Sequence, residues 1–234
     1  MSNPPPFAAL DAILIRTRHL LLQFDGPVCD PYAHQPAGSA ADQLRAILTT
    51  QGIEMPASIL ATTNPLTVLA FTHSISAVLA DQAEAELTRH ELAAVPSAQP
   101  AGYAHDAITS ARETGRSVAV IGSWSAQAMY SYLTRANLDE LVETVIGRGD
   151  FTHIPRTGHE LIALAVEAMA ASPSACALVA ESVPLIDAAK TSGLATIGYS
   201  PAPATSPSLA AHADTTVASL ADLVLRLRAR PLPN

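Results

Sequence analysis

Five short apolar runs, each stopped by a turn, constrain this chain more than any other feature. They are residues 19–24 (His-Leu-Leu-Leu-Gln-Phe), 117–121 (Ser-Val-Ala-Val-Ile), 143–147, 175–179 (Ala-Cys-Ala-Leu-Val) and 194–198 (Leu-Ala-Thr-Ile-Gly). Each is too short for a buried helix and too apolar for a strand with one face in water, so each reads as a strand covered on both sides. Between the runs lie helical patterns. Residues 8–17 form one; residues 125–135 put Ala126, Met129, Tyr130 and Leu133 on a shared face, and residues 158–171 do the same with Leu161, Leu164, Ala165 and Ala168. A further helix starts near 183, with Ser182 as its N-cap and Pro184 in its first turn, and stops at Gly193; the last covers 218–229. Strands alternating with helices predict an α/β fold: a Rossmann-like, doubly wound parallel sheet.

Residues 34–106 break the alternation. They carry helical patterns at about 40–51, 65–79, 81–95 and 104–114 and no convincing strand, and the Pro-rich pieces 93–102 and 200–208 read as linker and loop. The predicted organisation is an α/β core made of residues 1–33 and 107–234, with an all-helical cap at 34–106 inserted after the first strand. A chain of 234 residues with 49% hydrophobic and 15% charged side chains has enough apolar material for such a core.

Charge and targeting narrow the partners. The formal net charge is −8 and no basic run stands out, which argues against nucleic acid and for small molecules or other proteins. Residues 1–7 lack the charged start and apolar run of a signal peptide, and no apolar segment reaches the ~20 residues of a membrane span. Cys29 and Cys176 are too far apart in sequence to form a metal-ligand pair. A cytoplasmic, reduced setting is expected, with no membrane partner; oligomeric state stays open, a homodimer included.

Ligands of open parallel sheets bind outside the carboxyl ends of the strands. Three strand-to-loop junctions matter: Gln23-Phe24-Asp25-Gly26, Gly122-Ser123-Trp124-Ser125 and Ala180-Glu181-Ser182. If their strands are neighbours, Asp25, Ser123 and Glu181 converge at one edge, where the inserted helices also leave the core and can roof the site.

At these junctions the chain resembles the haloacid dehalogenase-like (HAD) superfamily, over roughly residues 18–229, and in particular its phosphoglycolate-phosphatase-like members with a helical cap. The family pattern D-x-D-G-[TV] after the first strand reads Gln-Phe-Asp-Gly-Pro-Val here. The strand that ends in Ser or Thr in the family ends here in Gly122, with Ser123 next. The family Lys is matched most nearly by Arg156, in His-Ile-Pro-Arg-Thr-Gly-His. The acidic G-D-x-x-x-D motif is matched by Ala-Glu-Ser-Val-Pro-Leu, with Glu181 and Leu185 at the acid positions. The resemblance implies a nucleophilic Asp, a second Asp as proton donor, a Ser/Thr and a Lys holding the phosphoryl group, and acids holding Mg²⁺. In this chain Gln23 stands at the nucleophile, and only Asp25 and Glu181 keep their carboxyl groups.

A neutral amide is a poor nucleophile and a weaker ligand for a hard cation than a carboxylate, and Leu185 cannot coordinate at all. The family site with Mg²⁺, and Asp25, Glu181 and Arg156 without it, both come to a net charge of about −1, so the departures are mutually consistent with a site that needs no metal. The expected function is metal-independent acid–base chemistry on a small organic molecule (cyclisation, isomerisation, dehydration or non-phosphate hydrolysis) without a cofactor. Asp25 is the expected acid or base, with Arg156 and Glu181 beside it as catalytic groups. Gln23, Phe24, Ser123 and Trp124 are expected to bind substrate, and no residue to bind metal. His153 and His159 flank Arg156 as further candidate bases. The alternatives are a catalytically silent binding protein and a residual phosphatase.

Overall fold

The structure is a computed structural model that describes residues 7–34, 37–149, 157–202 and 206–233. The chain begins with α1 (Ala8–Arg16) and β1 (His19–Gln23), followed by β2 (Cys29–Asp30). Four helices come next: α2 (Ala37–Thr50), α3 (Ala57–Ala61), α4 (Pro65–Ile75) and α5 (Ala77–Ala94). After β3 (Gln99–Pro100), α6 (Ala104–Glu113), β4 (Ser117–Ser125), α7 (Ala126–Arg135), β5 (Thr144–Arg148) and α8 (Gly158–Ala168) alternate. The chain closes with β6 (Cys176–Ala180), α9 (Val183–Thr191), β7 (Ala195–Tyr199), α10 (Ser206–His212), β8 (Thr215–Val217) and α11 (Leu220–Arg228).

Six strands form one parallel sheet in the order β5-β4-β1-β6-β7-β8. The side-chain period of two sends alternate residues to opposite faces. Leu20 and Leu22 of β1, Val118 and Val120 of β4, and Ala177 and Val179 of β6 enter one hydrophobic core; Leu21, Ala119, Ile121 and Leu178 enter the other. Helices α1, α6, α7 and α11 cover the first face, and α8, α9 and α10 the second. That double cover is why these strands read as continuous apolar runs. The strand order reverses between β1 and β6, the switch point at which such sheets open a crevice. Asp25 and Glu181 follow the two strands that flank it.

Helices α2 to α5 pack around a separate core of Leu44, Leu48, Val68, Leu69, Ala83 and Leu87. The outgoing and returning chains are zipped together as the β2–β3 ladder, where Cys29 faces Pro100 and Asp30 faces Gln99. The Pro-rich stretch 93–102 is therefore ordered, as a 3₁₀ turn and a strand, and is not a loose linker. Helix α6 differs from expectation as well: it packs on the sheet beside α11, so the core resumes by residue 104.

Two predicted helix faces are corrected. On α7 the buried set is Ala128, Met129, Tyr132 and Leu133, while Tyr130 is 56% exposed. On α8 the buried set is Leu161, Ile162 and Ala165, while Leu164 is half-buried and Ala168 exposed. Neither β8 nor α10 was expected; β8 is a three-residue edge strand, too short to show a period. Among the described residues no helix is long and apolar enough to cross a membrane.

Candidate active site

The turn after β1 is built to hold one carboxyl. The Gly26 N–H donates to the Cys29 carbonyl (2.9 Å) and the Cys29 N–H to that of Phe24 (3.0 Å), which closes a tight loop around Asp25. Gly26 has φ +99°, a conformation that favours glycine, and it also lies beneath the Glu181 side chain: a Cβ there would meet the Glu181 carboxyl carbon at 2.4 Å. The backbone of the turn therefore favours glycine, and Glu181 crosses the space that the missing Cβ leaves.

Burial, then the neighbouring Asp30, pushes the Asp25 carboxyl up from 3.8 to about 6. No side-chain hydrogen bond or ion pair holds it among the described residues. The Glu181 carboxyl is also raised, by burial first and then by Asp25 and Asp30. Tyr199 is raised by burial and by Glu181. The end of β1 and β6 is therefore an acidic patch in which Asp30 favours the protonated form of both Asp25 and Glu181.

Gln23 is occupied differently from expectation. Its Oε1 accepts the backbone N–H groups of Glu181 (3.1 Å) and Ser182 (3.2 Å) at the start of α9. These are donors that the first turn of a helix cannot satisfy internally, and Ser182 makes no side-chain cap of its own. Gln23 thereby pins the β6–α9 turn to β1 and fixes where Glu181 begins.

Phe24 turns away from the site. It is buried against Tyr132 (ring centroids 5.4 Å, interplanar angle 85°) and backs Trp124 at 5.8 Å. Its Cβ also lies 3.1 Å from where a Cβ at Gly122 would sit, which accounts for a glycine at that strand position. Strand β4 continues past Gly122 to Ser125, with a register shift against β5 between Ile121 and Ser125. The continuation is permitted by Gly147, where a Cβ would strike the Trp124 carbonyl and the Ala126 nitrogen at 2.6 Å. Ser123 and Trp124 are thus presented at the carboxyl end of the sheet, and Tyr32 packs on Trp124 at 4.8 Å.

Two cavities meet at Asp25. One, of about 330 Å³, is lined by Asp25, Ser123, Trp124 and Tyr32 from the core side and by Asn64 and Leu66 from the α3–α4 segment, with Glu91 of α5 also on its wall. The other, of about 370 Å³, is lined by Asp25, Asp30, Glu181, Tyr199 and Gln99. Asp25, Glu181, Ser123 and Trp124 are therefore brought together. Phe24 supports the wall without lining either cavity, and Gln23 lies behind Glu181. Arg156 and His153 fall outside the described residues, and His159 is exposed on α8.

The strongest polar construction near the site involves residues that the sequence reading did not single out. Arg148, at the end of β5, is 2% exposed. Its Nη1 and Nη2 bind Glu91 Oε1 (2.7 Å) and Oε2 (3.0 Å), its Nε binds both carboxylate oxygens of Glu84 (2.8 and 3.0 Å), and Nη1 also donates to the Ser123 carbonyl (2.7 Å). The Ser125 N–H donates to Glu91 Oε2 at 2.9 Å. One signal was available: Glu84 and Glu91 stand seven residues apart on α5, two turns along one face, and Arg148 closes an apolar strand.

The resemblance implies a Mg²⁺ ion, and the described residues do not fit one. The amide oxygen of Gln23 is committed to two N–H groups, Leu185 is buried in the second core, and among the described residues no three His, Cys, Asp or Glu side chains are grouped to hold a metal.

No protein-family model and no curated protein matches this sequence. Solved structures do. CbbY from Rhodobacter sphaeroides in complex with phosphate superposes with a TM-score of 0.65 at 19% identity, over 88% of this chain and 96% of that one. A predicted phosphatase from Clostridium acetobutylicum gives 0.65 at 14% identity, over 90% and 98%. A haloacid dehalogenase-like protein of unknown function from Agrobacterium tumefaciens gives 0.60 at 17% identity, over 91% and 98%. The chain has the haloacid dehalogenase-like fold.

Proposed function

We propose that this protein performs metal-independent acid–base chemistry on a small organic molecule, with Asp25 as the general acid or base and residues 34–106 acting, in the main, as a cap over the site. The observation that carries the reading is the Asp25 carboxyl. It is largely buried, meets two cavities, has no cation beside it among the described residues, and is raised to about 6, so it exchanges a proton close to neutral pH. Gln23 cannot serve as a nucleophile, and its oxygen is already bonded.

The cavity walls favour a neutral or cationic substrate over a phosphate ester. Asp25, Asp30, Glu181 and Glu91 line them, and no lysine or arginine among the described residues does. Trp124 and Tyr32 supply an apolar face suited to a ring or chain. The cap reading rests on the separate core of α2–α5 and on Asn64 and Leu66 reaching the first cavity.

The test has two arms. Hydrolysis of an aryl phosphate is measured with and without Mg²⁺, for the natural protein and for Gln23→Asp. Mg²⁺-dependent turnover by the natural protein would overturn the reading. A panel of small carbonyl, lactone and amine compounds is then followed by NMR for proton exchange or isomerisation in D₂O. Turnover with a pH midpoint near 6 that disappears in Asp25→Asn is the expected result. Saturable binding with no turnover, unaffected by Asp25→Asn, would favour a silent binding protein.

A further inference from the structure

Arg148 and the Ser125 N–H form, at the adjoining ends of β5 and β4, a set of donors of the kind that recognises an anion. A guanidinium keeps its charge at any physiological pH and grips a carboxylate or phosphate with two parallel N–H groups, and a backbone N–H aimed at the same oxygen adds a third bond. In this protein the anion is part of the chain. Both Glu91 oxygens are taken by Arg148, at 2.7 and 3.0 Å, and Oε2 also takes the Ser125 N–H at 2.9 Å. Arg148 and Glu91 are both buried, while Glu91 still forms part of the wall of the 330 Å³ cavity that holds Asp25.

The same contacts fix the aromatic wall. Arg148 donates to the Ser123 carbonyl on one side of Trp124, and Glu91 accepts from the Ser125 N–H on the other. Trp124 is held between two bonds that both depend on the Arg148–Glu91 pair. Glu84 adds a second carboxylate from the same helix, which takes the Nε of the guanidinium.

We propose that Glu91 is a specificity-determining residue. Its carboxylate fills, from α5, the anion site made by Arg148 and the Ser125 N–H, and so bars external anions from the cavity and positions Trp124. The inference rests on the reading of this cavity as the working site and deepens it by naming a device that excludes anionic substrates.

Trp124 is the only tryptophan, so its emission reports this spot alone. The natural protein and Glu91→Ala are titrated with formate and with inorganic phosphate, against sodium chloride at matched ionic strength, reading Trp124 emission and thermal midpoint. The expected result is a lower midpoint and shifted emission in Glu91→Ala, both restored saturably by formate or phosphate. The natural protein should bind either anion weaker by about tenfold or more.

Equal anion responses in the two proteins, or a variant indifferent to anions, would overturn the proposal. Should Glu91→Ala not fold in buffer, it is refolded in formate and in chloride side by side: recovery in formate alone supports the proposal, and recovery in both or in neither overturns it. None of these readouts uses turnover. A failure to find proton-transfer turnover would therefore sink the functional reading while leaving the anion test standing, whereas phosphatase activity in the natural protein would count against both.

Discussion

At the ends of β4 and β5, Arg148, Glu84 and Glu91 are tied to one another and to two backbone groups; at the ends of β1 and β6, Asp25 and Glu181 have raised pKa values and, among the described residues, no cation beside them. The two regions lie on the same edge of one sheet and share a cavity wall. Their charges nevertheless serve opposite ends. An ion network tied this closely holds strand ends and a helix in one arrangement. A buried acid without a partner costs stability when ionised, and that cost is what leaves it ready to take or give a proton. The comparison separates the part of the site that fixes geometry from the part suited to chemistry.

The largest expected effect comes from breaking the bonded region. Arg148→Met leaves two carboxylates facing an apolar side chain and should cost about 3–5 kcal/mol, a fall of roughly 10 °C in the thermal midpoint read by circular dichroism. Adding Glu91→Met should recover part of it, because an apolar pair carries no desolvation cost. A loss under about 1 kcal/mol for Arg148→Met would place the network among surface-like ion pairs and dissolve the contrast.

The next effect has the opposite sign. The folded-state pKa of Asp25 is above its unfolded value, so its contribution is present in full below about pH 4 and is lost as the pH rises through about 6. Asp25→Asn should therefore be more stable than the natural protein by about 2–3 kcal/mol above pH 7, with the gap closing below pH 4. Urea unfolding across that window measures it. A variant less stable at pH 7 would mean that the ionised carboxyl is held by a partner.

The smallest effect concerns the clamp behind Glu181. Gln23→Ala removes the acceptor of two N–H groups and should cost about 1–2 kcal/mol by denaturant unfolding. It should also shift the pH dependence that Asp25 sets, because Glu181 would no longer be held across Gly26. An unchanged pH profile would mean that Glu181 is positioned without the clamp.

The sheet was legible because its signal is local and repeated. Five apolar runs, each closed by a turn, predict parallel strands wherever two faces must be covered, and the junction residues Asp25, Ser123, Trp124 and Glu181 follow from strand order alone. Three things were not legible, each for a physical reason. The β2–β3 ladder has two residues a side, too few to show a period. The direction of Phe24 depends on the empty space at Gly122, which no spacing rule expresses. Arg148 was passed over in favour of Arg156 because a basic residue at a strand end gains its meaning from acids more than fifty residues earlier, on a helix whose docking the sequence does not encode locally.

The β2–β3 ladder carries one more consequence. Because Cys29 sits opposite Pro100 and Asp30 opposite Gln99, the chain leaves the sheet layer and returns to it at adjacent points. Two paired strands lie about 5 Å apart, a gap that a hairpin turn of a few residues spans. Everything between them is in this sense a cassette: it can be exchanged for a longer, shorter or unrelated segment with little change to the path of the chain through the sheet. The Glu84 and Glu91 contacts to Arg148 then act as the fitting that a replacement has to reproduce, which makes them the first place to check when such a segment is grafted.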